Sequence, residues 1–89
     1  MQPSLIYVGN EDYCRACHTA MPILKAEAHD LGLPVTWYDT DEDMVAIAGL
    51  GVESLPTTIM VRGGVEVGRI VGAYPRASLR AKLTSLMAN

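Results

Sequence analysis

Phenylalanine is absent from this chain, tryptophan occurs once and cysteine only twice. Without Phe the core has to be filled by Leu, Ile, Val, Met and Ala. With only Cys14 and Cys17 present, all thiol chemistry falls on one pair. Basic residues are also scarce: 7 Lys and Arg stand against 10 Asp and Glu, for a net charge of -3. They are scattered and form no stripe, which argues against a nucleic-acid partner. No apolar run approaches the roughly 20 residues that cross a bilayer, which argues against a membrane one. The start, Met1-Gln2-Pro3-Ser4, has neither the basic opening, the apolar segment nor the cleavage site of a signal peptide. The expected location is therefore cytoplasmic, where a lone cysteine pair serves catalysis or metal binding more often than structural stapling.

With 89 residues, 49% apolar and 19% charged, the composition is that of a globular chain, expected to form a single domain over residues 1–89. Leu5-Ile6-Tyr7-Val8, ended by Gly9-Asn10, has the continuous apolar pattern of a strand buried on both faces. From Cys14, apolar residues recur at Cys17, Met21, Leu24, Ala28 and Leu31, one face of a helix that Gly32 terminates. Pro22 lies inside it and should bend it. Val35 to Asp39 reads as a second strand, parallel to the first after a right-handed crossover. The acidic run Asp39-Thr40-Asp41-Glu42-Asp43 leads into a short helix through Met44 and Ala48, with carboxylates expected in its first turn, where the dipole favours them. Thr57 to Arg62 and Val65 to Val71 are strands of a hairpin turned at Gly63-Gly64. Ala77 to Met87, with Leu79, Leu83 and Leu86 on one face, closes the chain as a helix. The order is β-α-β-α-β-β-α, an α/β fold.

Chemistry concentrates in Cys14-Arg15-Ala16-Cys17-His18. Taken alone, Cys-x-x-Cys is consistent with a reversible disulfide, half of a zinc site or, with the following His, attachment of a c-type haem. A dithiol reductant needs one exposed, readily ionised sulfur and a second within reach to resolve the mixed disulfide. A helix N-terminus supplies the ionisation, because its free N–H groups and dipole stabilise a thiolate. Cys14 fits the nucleophile and Cys17, one turn in, the resolving thiol. A purely structural bridge over so short a loop would add only about 2 kcal/mol.

The ordered set of the strand before Cys-x-x-Cys, Pro22, Asp39-Thr40-Asp41, the run Gly51 to Thr57, the Gly63-Gly64 hairpin and Val71-Gly72-Ala73 resembles the thioredoxin family along nearly the whole chain. The resemblance implies a thioredoxin-like fold, a four-stranded mixed sheet flanked by three helices, shortened by the family's usual first strand and helix. It also implies a thiol-disulfide oxidoreductase, a protein-disulfide reductase serving electron transport and redox homeostasis with no bound cofactor. Cys14 and Cys17 would be catalytic. Pro56 would be a cis-proline facing the disulfide, the Leu55 backbone would pair with an extended substrate segment, and Tyr13, Arg15, Ala16, Gly72 and Ala73 would complete the substrate groove. Implied partners are disulfide-containing proteins, with ribonucleotide reductase the analogy from compact relatives, and thioredoxin reductase or glutathione as electron donor. The expected state is a monomer.

The chain departs from the family pattern at several places. Arg15-Ala16 replaces Gly-Pro, and Tyr13 replaces Trp before the first cysteine. Tyr7 or Val8 stands where the family carries a buried aspartate, and Trp37 stands for its nearby lysine. The proton path to the second thiol then falls to Glu11, Asp12, His18 or water. Arg15, a cation beside Cys14, should favour the thiolate and make the potential less reducing.

Two rival functions follow from the same residues. A c-type cytochrome matches Cys14-x-x-Cys17-His18, but a short cytochrome should be almost wholly helical, which Thr57 to Val71 contradicts. Zinc binding by Cys14, Cys17 and His29 lacks a fourth ligand at finger spacing, so no metal is expected. A third reading keeps the fold as a non-catalytic binding module docking partners at Pro56, and the intact cysteine pair argues against it.

Overall fold

The strand predicted at Leu5 to Val8 is central to the sheet, as its apolar run on both faces requires. In a computed structural model describing residues 1–89, it extends over Ser4–Gly9 (β1), with Leu5, Tyr7 and Val8 at most 1% exposed. The remaining elements are α1 (Arg15–Leu31), β2 (Val35–Asp39), α2 (Met44–Ala48), β3 (Thr57–Arg62), β4 (Val65–Val71) and α3 (Arg76–Met87). The sheet order is β2-β1-β3-β4. β1 runs parallel to β2 and antiparallel to β3, and β3 is antiparallel to β4.

Local chemistry sets the ends of these elements. Gly63 and Gly64 both take positive φ, 61° and 80°, as a tight hairpin turn of matching twist demands. Gly32, with φ 69°, is the left-handed cap of α1, and Leu33 N–H donates to the Ala28 carbonyl beyond it at 2.8 Å. α1 runs uninterrupted through Pro22. Its buried face, Leu24 and Ala28, meets Leu79 and Leu83 of α3 over Leu5, Tyr7, Met60 and Ile70 of the sheet, forming the core.

The carboxylates of the acidic run do not enter a helical turn. α2 begins at Met44 with no acidic residue in its first turn, and the Asp43 carboxylate turns back to accept from Asp39 N–H at 2.9 Å. Closing the end of β2 in this way satisfies a strand N–H that a helix dipole interaction would leave unpaired.

Glu27 lies on the buried face of α1, its side chain only 4% exposed. Arg76 Nε donates to its Oε1 at 2.9 Å and Arg80 Nε to its Oε2 at 2.7 Å, and both arginines also reach Asp30. These hydrogen bonds hold the Glu27 carboxyl below its ordinary value of 4.5. A carboxylate with a depressed native pKa stabilises the fold above the unfolded value, and loses that contribution as pH falls through the native one. Glu27→Gln is therefore expected to lower the melting temperature at neutral pH. It should also flatten the decline of stability below pH 4.5, read by thermal melts down an acid series. A decline as steep as the parent's would remove Glu27 as its source.

Candidate active site

Register determines which loops meet. Gly9 pairs with Asp39, Val8 with Thr57, and Thr57 with Val71. The C-terminal ends of β1, β2 and β4 and the start of β3 therefore lie at one end of the sheet. That end receives the Cys14 loop, the Asp39–Asp43 turn, Leu55-Pro56 and Gly72-Ala73. Gly72 N–H donates to the Pro56 carbonyl at 2.8 Å, extending the β3–β4 ladder past its last strand pair, and Gly72 takes φ 102° to do so. The Leu55-Pro56 peptide is cis. Leu55 makes no hydrogen bond through either its N–H or its carbonyl, so its backbone is free to pair with an added strand.

Cys14 is the N-cap of α1, in extended conformation at φ -105° and ψ 99°. Its Sγ accepts from Cys17 N–H at 3.1 Å, and the two residues are joined by a disulfide with Cα atoms 5.2 Å apart. The pair is asymmetric: Cys17 is 2% exposed, while Cys14 is half-buried in a surface cleft with Asp12, Tyr13, Arg15 and His18. Tyr13 stands 82% exposed beside it, and Arg15 and Ala16 are exposed on the first turn. The His18 ring nitrogen donates to the Glu11 carbonyl at 2.5 Å, a use for the imidazole that differs from the axial ligation a haem requires. No group of three or more His, Cys, Asp and Glu side chains is arranged to hold a metal.

Below the loop, Tyr7 and Trp37 are register partners with ring centroids 5.1 Å apart. They line a cleft of about 260 Å³ with Gly9, Asn10, Glu11 and Asp39. Both residues that could stand for the family's aspartate, Tyr7 and Val8, are buried, so β1 places no carboxyl under the cysteines. The Tyr7 hydroxyl has no hydrogen-bond partner. Burial, followed by the negative charge of Glu11, pushes its pKa up to about 12.

One residue of this site escapes sequence reading. Asn10, 3% exposed, uses its Oδ1 to accept from Asp12 N–H at 2.8 Å and Tyr13 N–H at 3.0 Å. Its Nδ2 donates to Thr40 Oγ1 at 2.7 Å and Asp41 Oδ2 at 3.1 Å. Its position after a strand, with two free N–H groups just beyond, is the signal of an Asx turn. The partners across the sheet leave no local trace.

Residues 6–85 match the family model described as Thioredoxin. Among individual proteins, the chain is 31% identical over 77 residues to the thioredoxin of Alicyclobacillus acidocaldarius, covering 84% of this chain and 73% of that protein. It is 32% identical over 79 residues to the thioredoxin of Mycobacterium bovis, covering 86% and 68%. Among solved structures, thioredoxin 1 from Thermosipho africanus superposes with a TM-score of 0.81 over 96% of this chain and 94% of that one, at 19% identity. That likeness carries the fold.

Proposed function

The chain belongs to the thioredoxin family and is a thiol-disulfide oxidoreductase, and from that premise we propose that Cys14 and Cys17 are its catalytic pair and reduce protein disulfides. The observation that supports these roles is the asymmetry at the start of α1, where a half-buried Cys14 caps the helix and a buried Cys17 lies one turn in. In the reduced protein the Cys14 thiolate attacks one sulfur of a substrate disulfide. A Cys14–substrate disulfide forms and the other substrate sulfur leaves as a thiolate that takes up a proton. Cys17, deprotonated, then attacks Cys14 Sγ, regenerating the intramolecular disulfide and releasing the second substrate thiol. Two electrons and two protons pass from the dithiol to the substrate, and a thiol or dithiol donor restores them.

The substrate lies, on this reading, across the end of the sheet. Its backbone pairs with Leu55, Pro56 packs against it, and Gly72 and Ala73 leave room on the other side. Tyr13, Arg15 and Ala16 form the outer rim. Residues 1–89 act as one domain and as a monomer in the cytoplasm, with thioredoxin reductase or glutathione as donor and disulfide proteins of the ribonucleotide reductase kind as targets. No helix is long and apolar enough to cross a membrane.

With dithiothreitol as electron source the protein is expected to reduce insulin disulfides, and absence of turnover counts against the catalytic pair. Its potential should be less reducing than thioredoxin's typical value of about -270 mV. Arg15 and the Cys17 N–H both stabilise negative charge on Cys14, and stabilising the reduced form raises the potential. Equilibration with glutathione and trapping of thiols measures it. A value at or below about -270 mV overturns the expected effect of Arg15-Ala16.

A further inference from the structure

We propose that Asn10 is a positioning residue for the redox reaction, holding the Cys14 loop in the form that stabilises the Cys14 thiolate; this rests on Cys14 being the nucleophile. Every hydrogen-bonding group of its amide is used. Oδ1 takes the N–H groups of Asp12 and Tyr13 at 2.8 and 3.0 Å, and the Asn10 carbonyl takes that of Cys14 at 3.1 Å. The three residues leading into α1 therefore all donate to one buried side chain and its own backbone. This pins Cys14 at its capping conformation, from which Sγ meets Cys17 N–H at 3.1 Å. When the sulfur is a thiolate, that same bond is charge-assisted and roughly twice as strong as a neutral one. Loss of the geometry thus costs the reduced form more than the disulfide.

The other half of the amide ties this end of the sheet together and contributes fold stability, not the Cys14 geometry. Nδ2 is fixed by Thr40 Oγ1 and Asp41 Oδ2, while Thr40 N–H donates to the Gly9 carbonyl at 3.0 Å. Asn10 thereby fastens the Cys14 loop to the turn after β2. The groups facing Cys14 in its cleft are Asp12, Tyr13, Arg15 and His18. Residues 55–57 and 72–73, from the other strands that end here, carry no titratable side chain. Substituting Asn10 changes none of these charges, so a redox effect has to come through geometry.

Asn10→Ala is expected to shift the exchange equilibrium with glutathione about tenfold toward the disulfide, ~30 mV more reducing. It should also raise the pH midpoint of Cys14 alkylation. Asn10→Ser keeps an oxygen that can accept from Asp12 and Tyr13 N–H in an ST turn, but gives up Thr40 and Asp41. It should stay within about threefold of the parent in exchange while losing thermal stability as Asn10→Ala does. A folded Asn10→Ala that equilibrates like the parent overturns the proposal, because Asn10 would then be structural only. Asn10→Ser shifted a full tenfold also overturns it, and decides alone where Asn10→Ala does not fold. Failure of the underlying assignment looks different: Cys14→Ser would still reduce insulin.

Discussion

Cys14→Ser is expected to abolish insulin reduction, a loss of at least ~10³-fold, because a neutral serine hydroxyl at a helix start, with no base aimed at it, cannot replace a thiolate. Cys17→Ser is expected to fail differently. Its Cys14 can still attack, but nothing displaces the substrate, so a covalent Cys14–substrate adduct accumulates that dithiothreitol releases. The difference follows from burial, since Cys17 is 2% exposed and Cys14 half-buried: an incoming protein disulfide reaches the outer sulfur first. Loss of fold does not account for either result, since opening so short a loop costs only about 2 kcal/mol, which circular dichroism of both variants checks. Adducts on Cys14→Ser but not on Cys17→Ser would reverse the two roles. Unchanged turnover in Cys14→Ser would end them, and leave the fold to act by binding alone.

How far the sequence could be read depended on how local the determining interactions are. β3 and β4 were legible to the residue, Thr57–Arg62 and Val65–Val71, because β-branched runs flank two glycines whose only comfortable role is the turn. The cap at Gly32 and the stripe of α1 are equally local. The helix after the acidic run, Met44–Ala48, is legible as well, but the role of the carboxylates is not, because a carboxylate before a helix can serve either the helix dipole or the preceding strand. Asp43 serves the strand, by bonding Asp39 N–H. Glu27 and the distant partners of Asn10 are not legible. Glu27 falls on the apolar stripe and is neutralised by arginines 49 and 53 residues later. Asn10 finds Thr40 and Asp41 at separations of 30 and 31. Buried polar groups need partners, and a sequence without its topology does not say which distant residues supply them.

Tyr7 bears directly on the missing carboxyl, and the expected result for Tyr7→Phe is a gain of stability that grows with alkalinity. The hydroxyl makes no hydrogen bond to the protein, so its removal breaks none, and the variant should be at least as stable as the parent at neutral pH. The alkaline part follows from linkage. Tyr7 is an acid whose pKa rises from 10.0 to about 12 on folding, so between those values the native chain keeps a proton that the unfolded chain has lost. Stability then falls with pH, by about 1.4 kcal/mol per unit and on the order of 2–3 kcal/mol across the window. Tyr7→Phe lacks that loss, so urea denaturation at pH 8 and above pH 11 should show the two proteins diverging, and curves that stay parallel would deny the shift. The same numbers separate Tyr7 from catalysis. A phenol that holds its proton up to about pH 12 is no base and carries no charge where a dithiol works. The rate–pH profile of Tyr7→Phe should therefore superimpose on the parent's between about pH 6 and 9. A displaced limb would instead make Tyr7 the group that takes the Cys17 proton, in the place where the family keeps an aspartate.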